Sequence, residues 1–294
     1  MPSALYDRIG SAYDATRCAD SYIVERLLAQ LQPTPGGRYI DVACGTGNYS
    51  WALAAAGLAV TGVDASRRMI TAAARKGRSP PKAHAPSTPN PQWVVGDVTR
   101  LPFDRGAFDG ATCTLALRYF GDLDAAFAEL ARVVAHGRLV IFTATPEQIR
   151  RYWLREYFPA MVARVAEQAY SLARISATLR AAGFSAVRTE PYAVRPDLQD
   201  LFLFSGKHRP ALYLNPAVRA GMCSFSTLAQ LDEEAAGCAE LRRDLASGRV
   251  RTIMDASVSE EPREPATVPG DYIFIVADRP SDRAATGPQS RPRA

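Results

Sequence analysis

The sequence predicts a doubly wound α/β fold, with a mostly parallel seven-stranded sheet and helices on both of its faces. Three observations predict it. Short aliphatic runs alternate with helical patterns as far as residue 143, as a parallel sheet with crossover helices requires. A glycine turn follows the first run, and acidic residues follow the second and third. Two more strand-like runs, at 184–194 and 271–277, bring the number of predicted strands to seven.

The stretch from Arg38 to Ser50 predicts a buried strand, a glycine turn and the start of a helix. Gly45 and Gly47 permit positive φ and let a ligand approach bare backbone. The N–H groups of the following helix, Tyr49–Ala56, aim at the turn. A dinucleotide fingerprint would have a third glycine where Ser50 stands, and a phosphate-binding P-loop would need Gly-Lys-Ser/Thr. The turn therefore predicts a nucleotide-like ligand of another kind.

Carboxylates follow two further strands at the same edge of the predicted sheet. The strand at 58–64 ends at Asp64, and an acid at this place in a doubly wound fold meets ribose hydroxyls. Asp64 also suits a helix N-cap, because Ser66 and a helical pattern follow it. Asp97 follows the strand at 93–95, either as a ligand contact or as the turn-forming half of a Gly-Asp pair.

The order of these features resembles that of one known family. The run Asp41-Val42-Ala43-Cys44-Gly45-Thr46-Gly47, with Asp64, Asp97 and Phe108-Asp109, resembles the motifs of small-molecule, class I S-adenosylmethionine (SAM) dependent methyltransferases. That family usually has glycine at the position of Ala43. The resemblance covers residues 5–145 and the final strand. It implies SAM as the cofactor, bound by residues of the cap and the strand ends: Tyr13, Arg17, Asp41, Ala43, Gly45, Gly47, Asp64, Ala65, Met69, Asp97, Val98, Thr114 and Leu115.

Within that set, the resemblance implies that Asp97 meets the adenine amino group and that the N–H of Val98 reaches the ring. The implied reaction moves the methyl group of SAM to an oxygen or nitrogen nucleophile of a small molecule by in-line displacement. A general base is needed only if the acceptor carries a proton that must leave. Two alternatives stay open: a non-catalytic SAM-binding regulator, and a nucleotide-cofactor oxidoreductase, which would want a third glycine.

We expect one methyltransferase domain over residues 1–278, followed by a disordered tail at 279–294. The expected parts of the domain are an N-terminal cap at 1–33, a SAM-binding core at 34–145, a lid at 146–170 and an insert at 195–270. The cap contains Tyr6-Asp7-Arg8-Ile9 and resembles the segment that closes the site in the family. A plain surface helix is the alternative.

Three other segments are distinctive. The proline-rich stretch at 76–92 predicts a surface loop, in which His84 is expected to be inert. Aromatic and cationic residues concentrate at 150–158, either as a lid over a substrate pocket or as a helix packed on the core. The insert contains a charged helix near 233–246 and is expected to supply a second lid or a dimer contact.

Three polar residues are candidates for catalysis and for the acceptor pocket: Tyr13 in the cap, Arg118 after the fourth strand, and His208 in the insert. Arg118 stands where relatives often have a histidine, and it would suit a carboxylate or phosphate on the acceptor. His208 could take a proton at its ordinary pKa of about 6.5. The alternative for His208 is a surface position beside Lys207 and Arg209.

Composition argues against several other classes of protein. The net charge of +5 is mild, and arginines near the end contribute to it, so we expect a solvated tail and no nucleic-acid partner. The five scattered cysteines without a CxxC pair predict reduced thiols in the cytoplasm. With three histidines and no HExxH, no metal centre is expected. No apolar run has membrane-spanning length, and no signal peptide is evident. A homodimer stays open.

Overall fold

The structure is a computed structural model that describes residues 13–76, 89–259 and 268–280. Three expectations concern residues outside these ranges and stay predictions. They are the Tyr6–Ile9 part of the cap, most of the proline-rich loop with His84, and the tail from residue 281 onward.

The described chain alternates strands and helices as far as the fifth strand and then becomes mainly helical. The strands are β1 (Arg38–Val42), β2 (Ala59–Asp64), β3 (Gln92–Val95), β4 (Phe108–Thr114), β5 (Val134–Thr143), β6 (Ser185–Tyr192) and β7 (Tyr272–Arg279). The helices are α1 (Tyr13–Thr16), α2 (Ser21–Leu31), α3 (Asn48–Ala55), α4 (Arg67–Lys76), α5 (Leu123–Val133), α6 (Pro146–Arg151), α7 (Pro159–Gln168), α8 (Leu172–Ala181), α9 (Pro216–Gly221), α10 (Cys223–Leu228), α11 (Leu231–Ser247) and α12 (Arg249–Ser259).

The described strands form one seven-stranded sheet in the order β3-β2-β1-β4-β5-β7-β6. The first five strands are parallel to one another, and β7 runs antiparallel to both β5 and β6. The predicted fold class is therefore confirmed. From β1 the chain builds outward through β2 and β3, and it then returns to place β4 on the other side. Such a reversal of strand order opens a crevice at the carboxyl ends of the strands.

Alternate residues of β5 show that helices cover both faces of the sheet. Val140 and Phe142 belong to a buried cluster that contains side chains of α2 and α3. Leu139 and Ile141 belong to a second cluster, with side chains of α5 and α8. A parallel strand that is buried on both faces must be apolar at successive positions, which is the pattern of this run.

The start of β5 differs from what the sequence pattern predicts. An amphipathic pattern over 123–134 followed by Ala135-His136-Gly137 predicts a helix end, and the apolar run Leu139 to Thr143 predicts a strand that begins at Leu139. The strand instead begins at Val134 and continues through Gly137, which pairs with Arg279 of β7. Gly137 has φ +91°, and a Cβ there would lie 2.1 Å from the Asp109 carbonyl oxygen. Only glycine fits this position, so the residue that resembled a helix stop is a strand residue.

The aromatic stretch at 150–158 packs into the core. Tyr152, Trp153, Tyr157 and Phe158 are all buried. The Tyr157 hydroxyl donates to Asp244 Oδ2 at 2.9 Å, which ties this stretch to α11, the predicted charged helix. The packing matches the second interpretation of this stretch, an element held on the core. No helix in the described ranges is long and apolar enough to cross a membrane.

Candidate active site

A cavity of about 810 Å³ lies at the carboxyl ends of the central parallel strands. Residues that end or follow β1 to β5 line one side of it, and residues of α1, α7 and the insert line the other. This volume is within the usual range for small-molecule sites. The crevice expected from the strand order is therefore a deep and partly covered pocket.

The glycine turn after β1 forms the floor of one end. Ala43, Gly45 and Gly47 have φ of +52°, +57° and +73°, all in the left-handed region. For a residue with a side chain, this conformation costs about 1–2 kcal/mol, so Ala43 keeps the turn geometry at a cost that glycine would avoid. Gly47 begins α3 without a side-chain cap. A Cβ on Gly47 would lie 2.2 Å from a ring carbon of Trp93, so this indole packs directly against the turn.

Asp64 at the end of β2 holds the turn from beside it. Its Oδ2 accepts a hydrogen bond from the Gly45 N–H at 2.9 Å, and its Oδ1 accepts one from the Ser66 N–H at 2.8 Å. Burial raises the pKa of Asp64, and these two N–H groups oppose the rise. Asp64 also lines the cavity, so the side chain that holds the turn is part of the cavity wall.

Asp97 and Val98 line the cavity after β3. The Thr99 N–H and hydroxyl donate to Asp97 Oδ1 at 2.9 and 2.8 Å, so the turn-forming interpretation of Asp97 also holds. Thr114 and Leu115 line the cavity after β4. The Thr114 hydroxyl oxygen is buried and makes no hydrogen bond within the described ranges, and Leu115 has φ +57°. Strained backbone and unpaired polar atoms of this kind concentrate at ligand sites.

The described part of the cap covers the turn. The Tyr13 hydroxyl lies 4.0 Å from where a Cβ on Gly45 would be. Arg17 stacks on the Tyr13 ring, with its Cζ 5.1 Å from the ring centroid. Burial raises the pKa of Tyr13, although Arg17 opposes this, so the phenol stays protonated at neutral pH.

Asp200 is a site residue that the sequence analysis missed. Arg17 Nε donates to its Oδ1 at 2.5 Å, while Arg17 Nη2 and the Tyr49 hydroxyl each donate to its Oδ2 at 3.1 Å. Asp200 is 1% exposed and Arg17 11%. All three residues line the cavity. No local pattern identifies Asp200, because its partners are distant in the chain.

The other end of the cavity is mostly apolar and aromatic. Its walls include Val165 of α7, Phe202 of the insert, Met222 before α10 and Tyr272 of β7. Arg118 lines the same region. It stacks on Tyr119 with its Cζ 4.7 Å from the ring centroid, and its Nη2 donates to the Tyr119 hydroxyl at 2.5 Å.

The structure brings most of the predicted cofactor residues to the cavity wall: Tyr13, Arg17, Ala43, Gly45, Asp64, Ala65, Asp97, Val98, Thr114 and Leu115. It does not bring Asp41, Gly47 and Met69 there. Asp41 is buried behind the turn, where it accepts hydrogen bonds from Ser50 and Thr112, and Met69 is 2% exposed within the core. Gly47 is buried against Trp93.

His208 also lies away from the cavity wall. It is exposed, and its Nε2 lies 2.8 Å from the Val194 carbonyl oxygen. This is the surface position that its basic neighbours indicated. The aromatic residues of 150–158 are likewise not in the wall; Ile149 and α7 line it in their place.

Comparison with known proteins identifies the family of this chain. Residues 40–142 match the family model of a methyltransferase domain. A demethylmenaquinone methyltransferase of Clavibacter sepedonicus is 30% identical over 210 residues, which cover 63% of this chain and 82% of that protein. The chain belongs to the class I SAM-dependent methyltransferases. The demethylmenaquinone methyltransferase of Corynebacterium kroppenstedtii is 33% identical over 138 residues, and the match spans only 55% of its length.

A solved structure extends the similarity beyond the cofactor-binding half of this methyltransferase. A protein of Anabaena variabilis, described as a methyltransferase from an antibiotic biosynthesis pathway, is 30% identical and superposes with a TM-score of 0.76. The superposition covers 89% of this chain and 98% of that one. The insert at 195–270 makes up about a quarter of the chain, so a superposition over 89% of the chain extends into it.

Proposed function

We propose that this methyltransferase moves the methyl group of SAM to an oxygen or nitrogen atom of a small, partly apolar acceptor. One observation carries the proposal. A single cavity is lined both by the carboxylates and bare backbone around Gly45, Asp64 and Asp97 and by a set of mostly apolar and aromatic side chains that includes the neighbourhood of Arg118. A donor and an acceptor that share such a cavity are held at contact distance and away from water, which supplies much of the rate enhancement.

The residues at the carboxylate end fit SAM. Gly45 offers bare backbone, Asp64 suits the ribose hydroxyls, and Asp97 with the Val98 N–H suits the adenine. The unpaired hydroxyl of Thr114 offers a further hydrogen bond to a bound ligand. When bound, SAM supplies a methyl group on a sulfonium, which an incoming nucleophile can attack in line.

Tyr13 and Arg17 of the cap line the same cavity. Because burial keeps the Tyr13 phenol protonated, its role is to donate a hydrogen bond and to position, not to remove a proton. Arg17 is neutralised by Asp200, so this pair adds no net charge to the cavity. His208 has no place in this proposal because it does not reach the cavity wall.

Arg118 and its apolar surroundings set the class of acceptor. A guanidinium at a mostly apolar wall favours a carboxylate, phosphate or acidic phenol on a molecule with an apolar body. The names of the relatives above, demethylmenaquinone methyltransferases, support a small-molecule acceptor. The five cysteines, all within the described ranges, form no disulfide with one another, which suits the reducing cytoplasm.

The test is to incubate the protein with SAM and small aromatic or aliphatic acids, and to measure a gain of one methyl group by mass spectrometry. Formation of S-adenosylhomocysteine is followed in parallel. For an accepted substrate, Arg118→Met should lower kcat/KM for the acceptor about tenfold, the cost of one charged hydrogen bond. Arg100→Met, at an exposed arginine outside the cavity wall, is the control. Equal activity of both variants would refute the role of Arg118.

The donor end is tested separately. Asp64→Ala should weaken the binding of S-adenosylhomocysteine by about 1.5–3 kcal/mol per lost charged hydrogen bond, as measured by calorimetry. Asp104→Ala, at an exposed position, should bind as the wild type does. Unchanged affinity of the Asp64 variant, or tighter binding of NAD than of SAM, would contradict the placement of the donor.

A further inference from the structure

Lys76 is the last residue of α4, and it lies beside the place where α1 meets the glycine turn. Its side chain is 27% exposed. It does not line the cavity, and the sequence analysis gave it no role beyond a solvated loop. Its neighbour Arg75 is exposed, which makes it a matched control on the same helix.

The Lys76 ammonium donates hydrogen bonds to three oxygen atoms from two separate segments. Its Nζ lies 2.7 Å from Asp14 Oδ1 in α1. It lies 2.9 Å from Thr46 Oγ1 in the glycine turn and 2.6 Å from Asn48 Oδ1 at the start of α3. An ammonium has three N–H donors, so these contacts use its full capacity. Hydrogen bonds from a charged donor are shorter and stronger than neutral ones.

Two further hydrogen bonds tie the same segments together. The Thr46 hydroxyl donates to Asp14 Oδ1 at 2.5 Å, and Asn48 Nδ2 donates to the Arg17 carbonyl oxygen at 3.1 Å. Thr46 and Asn48 both line the cavity. The lysine therefore lies at the centre of a network that joins the end of α4, the floor of the donor site and the helix that carries Tyr13.

The electrostatic surroundings make this network sensitive to the charge of the lysine. Burial lowers the pKa of Lys76, while the hydrogen bond and charge of Asp14 oppose the change. An uncharged amine would have only two N–H donors and no attraction to the Asp14 carboxylate.

We propose that Lys76 is a positioning residue for methyl transfer: its ammonium holds the Tyr13 helix on the glycine turn and so sets the affinity for the methyl donor. It acts through Asp14, Thr46 and Asn48. Without the ammonium, the cap spends part of its time away from the turn. The apparent affinity for the methyl donor then falls in proportion to the fraction of molecules that can still bind it. The proposal rests on SAM as the donor and not on the acceptor proposed above.

The test measures the dissociation constant of S-adenosylhomocysteine by calorimetry at pH 7. Lys76→Met should bind about tenfold more weakly than the wild type, the loss expected for a charged hydrogen-bonded contact. Arg75→Met should stay within about twofold, as surface substitutions do. Asp14→Asn is a second variant, in case Lys76→Met folds poorly in a melting experiment, and it should weaken binding in the same direction. The double variant should lose little more than Lys76→Met alone, because both residues act in one network.

A pH series separates this role from a general effect on folding. Between pH 7 and pH 10 the wild type should lose affinity as Lys76 loses its proton, whereas Lys76→Met has no such proton to lose. The affinity ratio of the two proteins should therefore shrink as the pH rises. Ionisation of the ligand is common to both and cancels in this ratio. Wild-type affinity in Lys76→Met at pH 7, or a ratio that stays constant across the series, would overturn the proposal.

Discussion

Asp41 should make this methyltransferase less stable as the pH rises, whereas a salt-bridged carboxylate makes a protein more stable as the pH rises. Asp41 is 2% exposed. Its oxygens accept hydrogen bonds from Ser50 Oγ at 2.5 Å and Thr112 Oγ1 at 2.9 Å. Burial raises the pKa of Asp41 from 3.8 to about 6, although both hydroxyls oppose the rise. The folded protein therefore holds this proton more tightly than the unfolded chain.

The magnitude follows from linkage. A pKa raised from 3.8 to about 6 corresponds to about 3 kcal/mol, at about 1.36 kcal/mol per pKa unit. Because the folded pKa is the higher one, this stability is fully present below pH 3.8 and is lost as the pH rises through 6. Roughly 1.4 kcal/mol of it is lost between pH 5 and pH 7.5.

The substitution Asp41→Asn removes the titration and keeps the shape, and either hydroxyl can turn to accept a hydrogen bond from the amide. In urea unfolding, the free energy of unfolding of Asp41→Asn relative to that of the wild type should rise by roughly 1.4 kcal/mol between pH 5 and pH 7.5. Asp104→Asn, at an exposed aspartate, should show no such change. A stability difference between Asp41→Asn and wild type that does not vary with pH would refute the argument from burial.

Three further predictions concern the turn, the cap and the donor site. Gly47→Ala should unfold at a lower urea concentration than Gly36→Ala, because both glycines have φ +73° but only a Cβ at Gly47 meets the tryptophan of β3. Equal losses of stability in the two variants would contradict this clash. Asp200→Leu should cost about 3–5 kcal/mol by leaving Arg17 buried without its carboxylate, and adding Arg17→Met should restore part of that stability, which urea unfolding checks. Thr114→Val should leave the melting temperature unchanged, because the Thr114 hydroxyl has no hydrogen-bond partner in the described protein. It should weaken the binding of S-adenosylhomocysteine by about 1 kcal/mol, and unweakened binding would exclude a hydrogen bond from this hydroxyl to the ligand.

The sheet and the donor end of the cavity could be predicted because their signals are local. A strand, a turn and the acid at a strand end each lie within a few residues, and the topology of a doubly wound sheet then brings those strand ends together. Asp64 and Asp97 lie in the cavity wall for this reason. Each also satisfies nearby backbone N–H groups, so the structural and ligand interpretations did not exclude one another.

The error at Gly137 has the same local origin. A glycine after an amphipathic helix usually marks the helix end. Here the glycine is a strand residue, and a Cβ at its position would lie 2.1 Å from a neighbouring carbonyl oxygen. Local sequence cannot distinguish these two uses of glycine, because both need the absence of a Cβ. The aromatic stretch at 150–158 is ambiguous in a similar way, since a core and a pocket wall have the same composition.

The part of the cavity wall that the insert supplies could not be predicted, because it is built from contacts between distant segments. Arg17 and Asp200 are separated by 183 positions, and neither shows its partner locally. The same two segments also meet where the Leu201 N–H donates to the Thr16 carbonyl oxygen at 3.1 Å. Helix α9 of the insert packs closely on the cap as well, since a Cβ on Gly221 would lie 1.8 Å from Thr16 Oγ1. In the proposed function, residues 34–145 supply the donor end together with Arg118, while residues of the cap and the insert complete the cavity wall. We expect substitutions at Phe202 or Met222 to change the acceptor preference without altering the strand ends that are proposed to hold the donor.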